Sequence, residues 1–294
     1  MIWYHGEKKT RSYFEGWYLK CQTKYGRCLA LIPAIHVDGE GCKTASIQVI
    51  TENHSWWLPL PGDSFHAQKD LFHVQIGSNI FSKHGMELAI QEDGIDLEGK
   101  IRFGSFQPLH YSIMGPFEMI PSMECAHGII SMKHSLKGEV ILNGDVFHFD
   151  EGIGYIETDR GISFPSSYLW AQDVWADGSF MLSIAKIPLG KLTFTGCICA
   201  ILLDGKEYRI ATYLGARVKQ WNAQYASIQQ GRNWLEVEVL SKKKQPLKAP
   251  CTGRMMRTVH ESLCSAIRIR LMRGNEVLLD RMPDRAGFEH SESP

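Results

Sequence analysis

Apolar and polar residues alternate along much of this chain. Leu235, Val237 and Val239 alternate with Trp234, Glu236 and Glu238, and Ile267, Ile269 and Leu271 alternate with Arg268 and Arg270. A period of two marks a half-buried strand, because successive side chains leave opposite faces of a sheet. Turn chemistry punctuates these runs. LTFTGCICAILL, Asp204-Gly205 and KEYRIATYL predict a hairpin, and EVIL and DVFHF predict another around Asn143-Gly144. Asx-Gly pairs supply the positive φ angles that tight hairpin turns require. AIRIRLMR turns at Gly274-Asn275, and the first half adds CLALIPAIHV, ASIQVI, LFHVQI, MELAI and IDLEGKIRF, with turns at Asp38-Gly39 and Asp93-Gly94. Helical spacing is scarce, and residues 216 to 230 are the best helix candidate. Many short strands at regular spacing predict an all-β fold, an antiparallel sandwich or barrel.

One stretch has an echo. FEGWYLKCQ (14 to 22) aligns with FPSSYLWAQ (164 to 172), sharing Phe, Tyr-Leu and Gln at a constant offset of 150. That offset is about half the chain, as a duplicated β unit requires. The division expected is therefore an N-terminal domain at 1–150 and a C-terminal domain at 151–294.

Composition narrows the function classes. Hydrophobic residues make up 44% and charged ones 22% of 294 residues, which suits a globular core. Lys+Arg and Asp+Glu both total 32, so the basic excess of a nucleic-acid binder is missing. The one tight basic run, Lys242 to Lys244, lies between Ser241 and Gln245-Pro246 and reads as a solvated turn. The N-terminus lacks an apolar signal region, and no window approaches the ~18 uninterrupted apolar residues of a membrane span. Eight Cys contain no Cys-x-x-Cys pair, so they read as buried free thiols in a reducing, cytoplasmic setting. Cys197 and Cys199 would share one strand face. Gly152-x-Gly154 lacks the rest of a dinucleotide fingerprint, and Walker A, His-Glu-x-x-His and Gly-x-Ser-x-Gly motifs are absent. Neither a cofactor nor a metal is expected.

The stretch GYIETDRGISFPSSYLWAQ (154 to 172) carries the candidate chemistry. In a strand Tyr155, Glu157 and Asp159 share one face. Where that face looks outward, it is a solvated edge. Where it looks into an apolar cavity, the carboxylates are desolvated and one is held protonated near neutrality, ready to protonate an alkene or ether. Downstream, Phe164, Ser166, Tyr168, Trp170 and Gln172 would line the next strand, an aromatic wall suited to an apolar ligand with Gln172 fixing a polar end. An aromatic core accounts for the same pattern. Upstream, GPFEMIPSMECAHGIISMKH (115 to 134) supplies Met119, Met123, Met132, His127 and His134. Met suits irregular apolar pockets and cores alike. Either His is a candidate for proton transfer or for a structural hydrogen bond.

FEGWYLK, MECAHGIISMKHSLKG and GYIETDRGISFPSSYLWAQ, in that order, resemble the tocopherol cyclase-like family. The likeness covers most of residues 3 to 175. It implies two lipocalin-like antiparallel β-barrel/sandwich halves, related more distantly to the carotenoid 1,2-hydratases. It implies a hydrophobic small molecule, isoprenoid or quinone-like, as the partner. The implied reaction is acid-assisted cyclisation or hydration of a prenyl double bond, with Glu157 or Asp159 as acid and Tyr155 and His127 assisting. Trp170, Gln172, Tyr168, Trp17, Glu15 and Met123 would then meet the ligand, and the two tryptophans would stabilise a cation. A non-catalytic carrier or sensor of a hydrophobic molecule is the alternative.

Overall fold

The computed structural model describes residues 3–120, 123–189 and 192–292. Helix among them is confined to short 3-10 turns at Gly6–Lys8, Gly62–Ser64, Gly115–Met119 and Thr212–Leu214. None is long and apolar enough to cross a membrane. The chain divides into two compact units. One takes the described residues up to His110, then 123–164 and 247–258; the other takes 111–120, 165–246 and 259–292, less the undescribed positions.

The first sheet is built from β1 (Tyr13–Gln22), β2 (Cys28–Val37), β3 (Lys43–Thr51), β4 (Ser55–Pro61), β5 (Phe65–Ala67), β6 (His73–Ile76), β7 (Asn79–Ser82), β8 (Gly85–Glu92), β9 (Ile95–Phe103), β10 (Cys125–Leu142), β11 (Asp145–His148) and β12 (Gly152–Gly161). Its order is β4-β3-β2-β1-β12-β10-β9-β8-β7-β6-β5, with β11 against β10. The two edge strands, β4 and β5, are consecutive in the chain and joined only by Gly62–Ser64. Three residues reach roughly 3.5 Å each, so the sheet curls until its edges approach. The curl encloses a core that includes Trp17, Leu19 and Cys21 of β1, Leu29 and Leu31 of β2, and Ile156 of β12.

The second sheet contains β13 (Tyr168–Trp175), β14 (Gly178–Leu189), β15 (Leu192–Leu203), β16 (Lys206–Ala211), β17 (Arg217–Trp221), β18 (Tyr225–Gln230), β19 (Asn233–Ser241), β20 (Gln245–Cys251), β21 (Arg254–Arg273), β22 (Glu276–Arg281) and β23 (Ala286–Ser291). Its order is β16-β15-β14-β13-β23-β21-β19-β18-β17, with β20 and β22 against β21. Again the edges are neighbours in sequence, and Ala216 N donates to Ala211 O at 3.0 Å between them. Leu169, Ala171, Leu182, Ile269 and Phe288 belong to its core. The echoed segments fall on β1 and β13. Each lies between its hairpin partner (β2, β14) and a strand from later in the chain (β12, β23).

Most hairpins stand where the pattern puts them. Asn143 and Gly144 have φ of 50° and 82°, and Asp204 and Gly205 have 50° and 73°. Leu235, Val237, Ile267, Ile269 and Leu271 are buried. Three expectations need correction. Residues 216 to 230 form no helix: β17 and β18 pair as a hairpin, Val218 opposite Ile228, and Asn222 Oδ1 accepts from Gln224 N and Tyr225 N in the turn. Burial of Ala226 and Ile228 in the sheet core outweighs a weak helical pattern. The first unit does not end at 150, because β12 is hydrogen-bonded to β1 on one side and to β10 on the other. Phe164 and Ser166 precede β13 rather than extend its face, and Phe164, within the first unit, packs edge-on against Phe14 of that same unit at 5.5 Å. The thiols also divide: Cys197 and Cys199 share the core face as expected, while Cys42 and Cys251 are exposed.

Candidate functional site

β12 has two unlike faces. Ile156 points into the first core, so Tyr155, Glu157 and Asp159 point the other way. Register sets Tyr18 of β1 beside Glu157, Lys20 beside Tyr155 and Gly16 beside Asp159, while β10 sets His127 beside Asp159 from the opposite edge. Directly paired residues share a face. This face is neither the apolar core nor a solvated edge: Tyr155, Lys20 and Glu157 are 0%, 1% and 4% exposed.

The four candidate catalytic side chains converge here. His127 Nδ1 lies 2.9 Å from Asp159 Oδ1, and its Nε2 lies 3.3 Å from Glu157 Oε2. The second contact is an ion pair without hydrogen-bond alignment. Tyr155 OH donates a short hydrogen bond to Glu157 Oε2, and Cys125 Sγ donates to Asp159 Oδ1 at 3.5 Å. Burial disfavours a charged His127 ring, but the charges of Asp159 and Glu157 outweigh it and raise the ring to about 10. Burial, then the Glu157 charge, pushes the Tyr155 phenol well above its ordinary value. Burial and Asp159 do the same to the Cys125 thiol. At neutral pH an imidazolium therefore stands between two carboxylates, with a neutral phenol on one and a neutral thiol on the other. The ligand atoms of His127, Glu157 and Asp159 also lie within 4.8 Å of one another, close enough for a metal. The ring spends both nitrogens on the carboxylates, which makes this an ion-paired proton site as it stands.

Local sequence explains the arrangement. His127 and His134 are an odd number apart and leave β10 on opposite faces, since the two register shifts after Ile129 and Ser131 cancel. His134 sits on the core side against Phe103 and Phe106, at 4.7 and 5.1 Å between ring centres, with Nδ1 3.1 Å from Ser131 Oγ. Burial lowers it to about 3, so it stays neutral. Gly154 is required beneath it, since a Cβ there would collide with His134 Nε2. The leading glycine of GYIE is thus a packing requirement of the neighbouring strand.

The expected ligand-facing residues do not form one group. Glu15 and Trp17 lie on the core side of β1, opposite the Glu157 face. Trp17 is fully buried and stacks on Phe65 at 6.2 Å. Glu15 accepts from His5 N at 2.9 Å, Gly6 N at 3.1 Å and Tyr13 OH at 2.7 Å, and His5 Nδ1 lies 2.8 Å away. This is a second Tyr-x-Glu/His cluster, which the sequence reading missed. Its signal was there, in Tyr13-x-Glu15 at the spacing of Tyr155-x-Glu157. Tyr168, Trp170 and Gln172 share the face of β13 turned away from Leu169 and Ala171, and all three are buried. Tyr168 OH donates a short hydrogen bond to Glu289 Oε1. Met123 is half-buried ahead of β10.

No family model and no curated protein matches the chain. Solved structures match its fold. CghA, in complex with Sch210972, aligns over 96% of this chain and 89% of that one, with TM-score 0.60 and 9% identity. An AttH-like protein of Nitrosomonas europaea aligns over 96% and 93%, with TM-score 0.57 and 11% identity. Kievitone hydratase from Nectria haematococca aligns over 98% and 93%, with TM-score 0.50 and 9% identity. At such identities the likeness establishes the fold: a two-half, lipocalin-like β architecture that a hydratase also has.

Proposed function

We propose that the protein acts on an apolar, isoprenoid-like small molecule, adding water to a prenyl double bond or closing a ring through the ligand's own hydroxyl. The carrying observation is the buried Tyr155–Glu157–His127–Asp159 chain on one face of β12 and β10. A carboxylic acid is the strongest acid available, because the imidazolium raised to about 10 and the still weaker phenol hold their protons tightly. The His127 proton crosses to Glu157 Oε2, 3.3 Å from Nε2, and the Glu157 carboxylic acid so formed delivers it to the alkene carbon. The π electrons form the new C–H bond and leave a cation at the other carbon, which the buried Glu157 and half-buried Asp159 carboxylates stabilise. Oxygen of water or of the ligand hydroxyl captures the cation and returns a proton to Glu157. Asp159 orients the ring. The fold shared with kievitone hydratase supports the hydration outcome, and the resemblance to tocopherol cyclases supports the ring closure.

The second reading is a non-catalytic carrier. It is favoured by one observation: each of the four side chains is already paired with another member of the cluster. The double variant Glu157→Gln with Asp159→Asn separates the two. Incubation with prenylated phenols, followed by mass spectrometry for a gain of water or for an isomeric product, should show turnover in the wild type and none in the variant. Retained far-UV circular dichroism would show that the fold survives. Equal turnover by both proteins sinks the assignment, and binding without turnover by the wild type favours the carrier.

A further inference from the structure

β13 and β14 pair with Gln172 opposite Met181 and Val174 opposite Ser179. Gln172 and Ser179 are therefore diagonal neighbours on one sheet face, the one turned away from Ala171, Phe180 and Leu182 of the second core. Both are 0% exposed. Among the described residues, neither the nitrogen nor the oxygen of the Gln172 amide, nor Ser179 Oγ, has a hydrogen-bond partner. Three unmet polar atoms in one buried patch are unusual, since each forfeits its hydration without replacement. The same repeat position in the first unit, Gln22, also carries an unmet Oε1. Trp170 and Met181 flank the patch with apolar surface, and Ala200, opposite Met181, adds little bulk beside it.

We propose that Gln172 and Ser179 form a head-group subsite that recognises the neutral hydroxyl of an otherwise apolar ligand. This rests on the apolar-ligand reading above and concerns a subsite within the second unit. A hydroxyl donates once and accepts twice, which matches an amide offering N–H and C=O beside a second hydroxyl. An anionic head is disfavoured, because Glu289 lies two positions along β23 from Gly287, the residue facing Gln172. The subsite selects the ligand by its hydroxyl.

The test compares binding of two probes, 2-geranylphenol and its O-methyl ether, by tryptophan fluorescence quenching of the whole protein. The ether keeps the apolar body and loses the donor. Wild type should prefer the phenol by about tenfold, the effect of one hydrogen bond. Gln172→Leu should bind both probes equally at the ether's affinity, and Ser179→Ala should fall between. Unliganded Gln172→Leu should also melt higher than wild type, since it removes buried polar atoms that the free protein leaves unmet. Equal binding of both probes by wild type overturns the subsite. So does a retained preference in Gln172→Leu, or a lowered melting temperature, which would mean that a buried water serves the amide. Binding of neither probe overturns the apolar-ligand reading, and the subsite with it.

Discussion

β1 with β12, and β13 with β23, occupy the same place in their respective sheets and end up with different chemistry. The copies share Tyr18 and Tyr168, Leu19 and Leu169, and Gln22 and Gln172. In both, the leucine enters the core and the tyrosine and glutamine take the other face. Both contain a buried tyrosine bonded to a buried glutamate, Tyr155 to Glu157 and Tyr168 to Glu289. The adjoining strand makes the difference. β10 places His127 across from Asp159, whereas β21 places Glu261 across from Glu289. A repeated scaffold thus supplies a buried polar strand face twice, and the group contributed by the next strand decides whether that face holds an imidazolium.

The largest effect should come from removing the group that distinguishes the copies. His127→Ala leaves the buried Glu157 and the half-buried Asp159 without their cation, and breaking a buried pair costs up to about 3–5 kcal/mol. Urea unfolding should show that loss, and a change under 1 kcal/mol would mean that the ring carries no charge. The pH dependence gives the same contrast without mutation. His127 is raised from 6.5 to about 10, so its contribution is full below 6.5 and is lost as pH rises through 10. His36 and His134 are lowered by burial to about 4 and 3. Their contribution is present above 6.5 and is lost as pH falls toward those values. Histidine resonances followed by NMR should show one ring protonated to about pH 10 and two still neutral at pH 5.

A smaller effect separates the two tyrosines. Tyr155→Phe removes the phenol bonded to Glu157 and should lower kcat by roughly a hundredfold, the lower end for a proton-transfer residue. Tyr168→Phe, whose partner is Glu289, should leave kcat unchanged. Identical effects of the two would end the distinction between a proton site and a ligand-facing strand. Smallest is Gly154→Ala, which forces His134 aside and should cost about 1–3 kcal/mol in unfolding experiments. Activity per folded molecule should hardly change, because that contact lies on the core side of β12.

Much of the fold was legible because strand alternation and Asx-Gly turns are local signals. The hairpins at Asn143-Gly144 and Asp204-Gly205 are examples. The repeat was legible from four shared residues, and it places β1 and β13 correctly. The helix expected at 216 to 230 failed because its apolar residues serve a hairpin whose pairing is settled by the sheet. The site was legible in part. Tyr155, Glu157 and Asp159 share a face as alternation requires, yet nothing in that segment says that β12 pairs with β1 and β10.

The sequence by itself determined the all-β class, the duplicated strand, and which side chains of β12 stand together, since each follows from a period of two within one segment. Only the tertiary structure decided that the acidic face is buried opposite the core, that Trp17 and Glu15 lie on the other side of the sheet, and that His127 neutralises what alternation had gathered. Those outcomes depend on which strands pair and in what register. A single-residue slip there would turn every side chain to the opposite face.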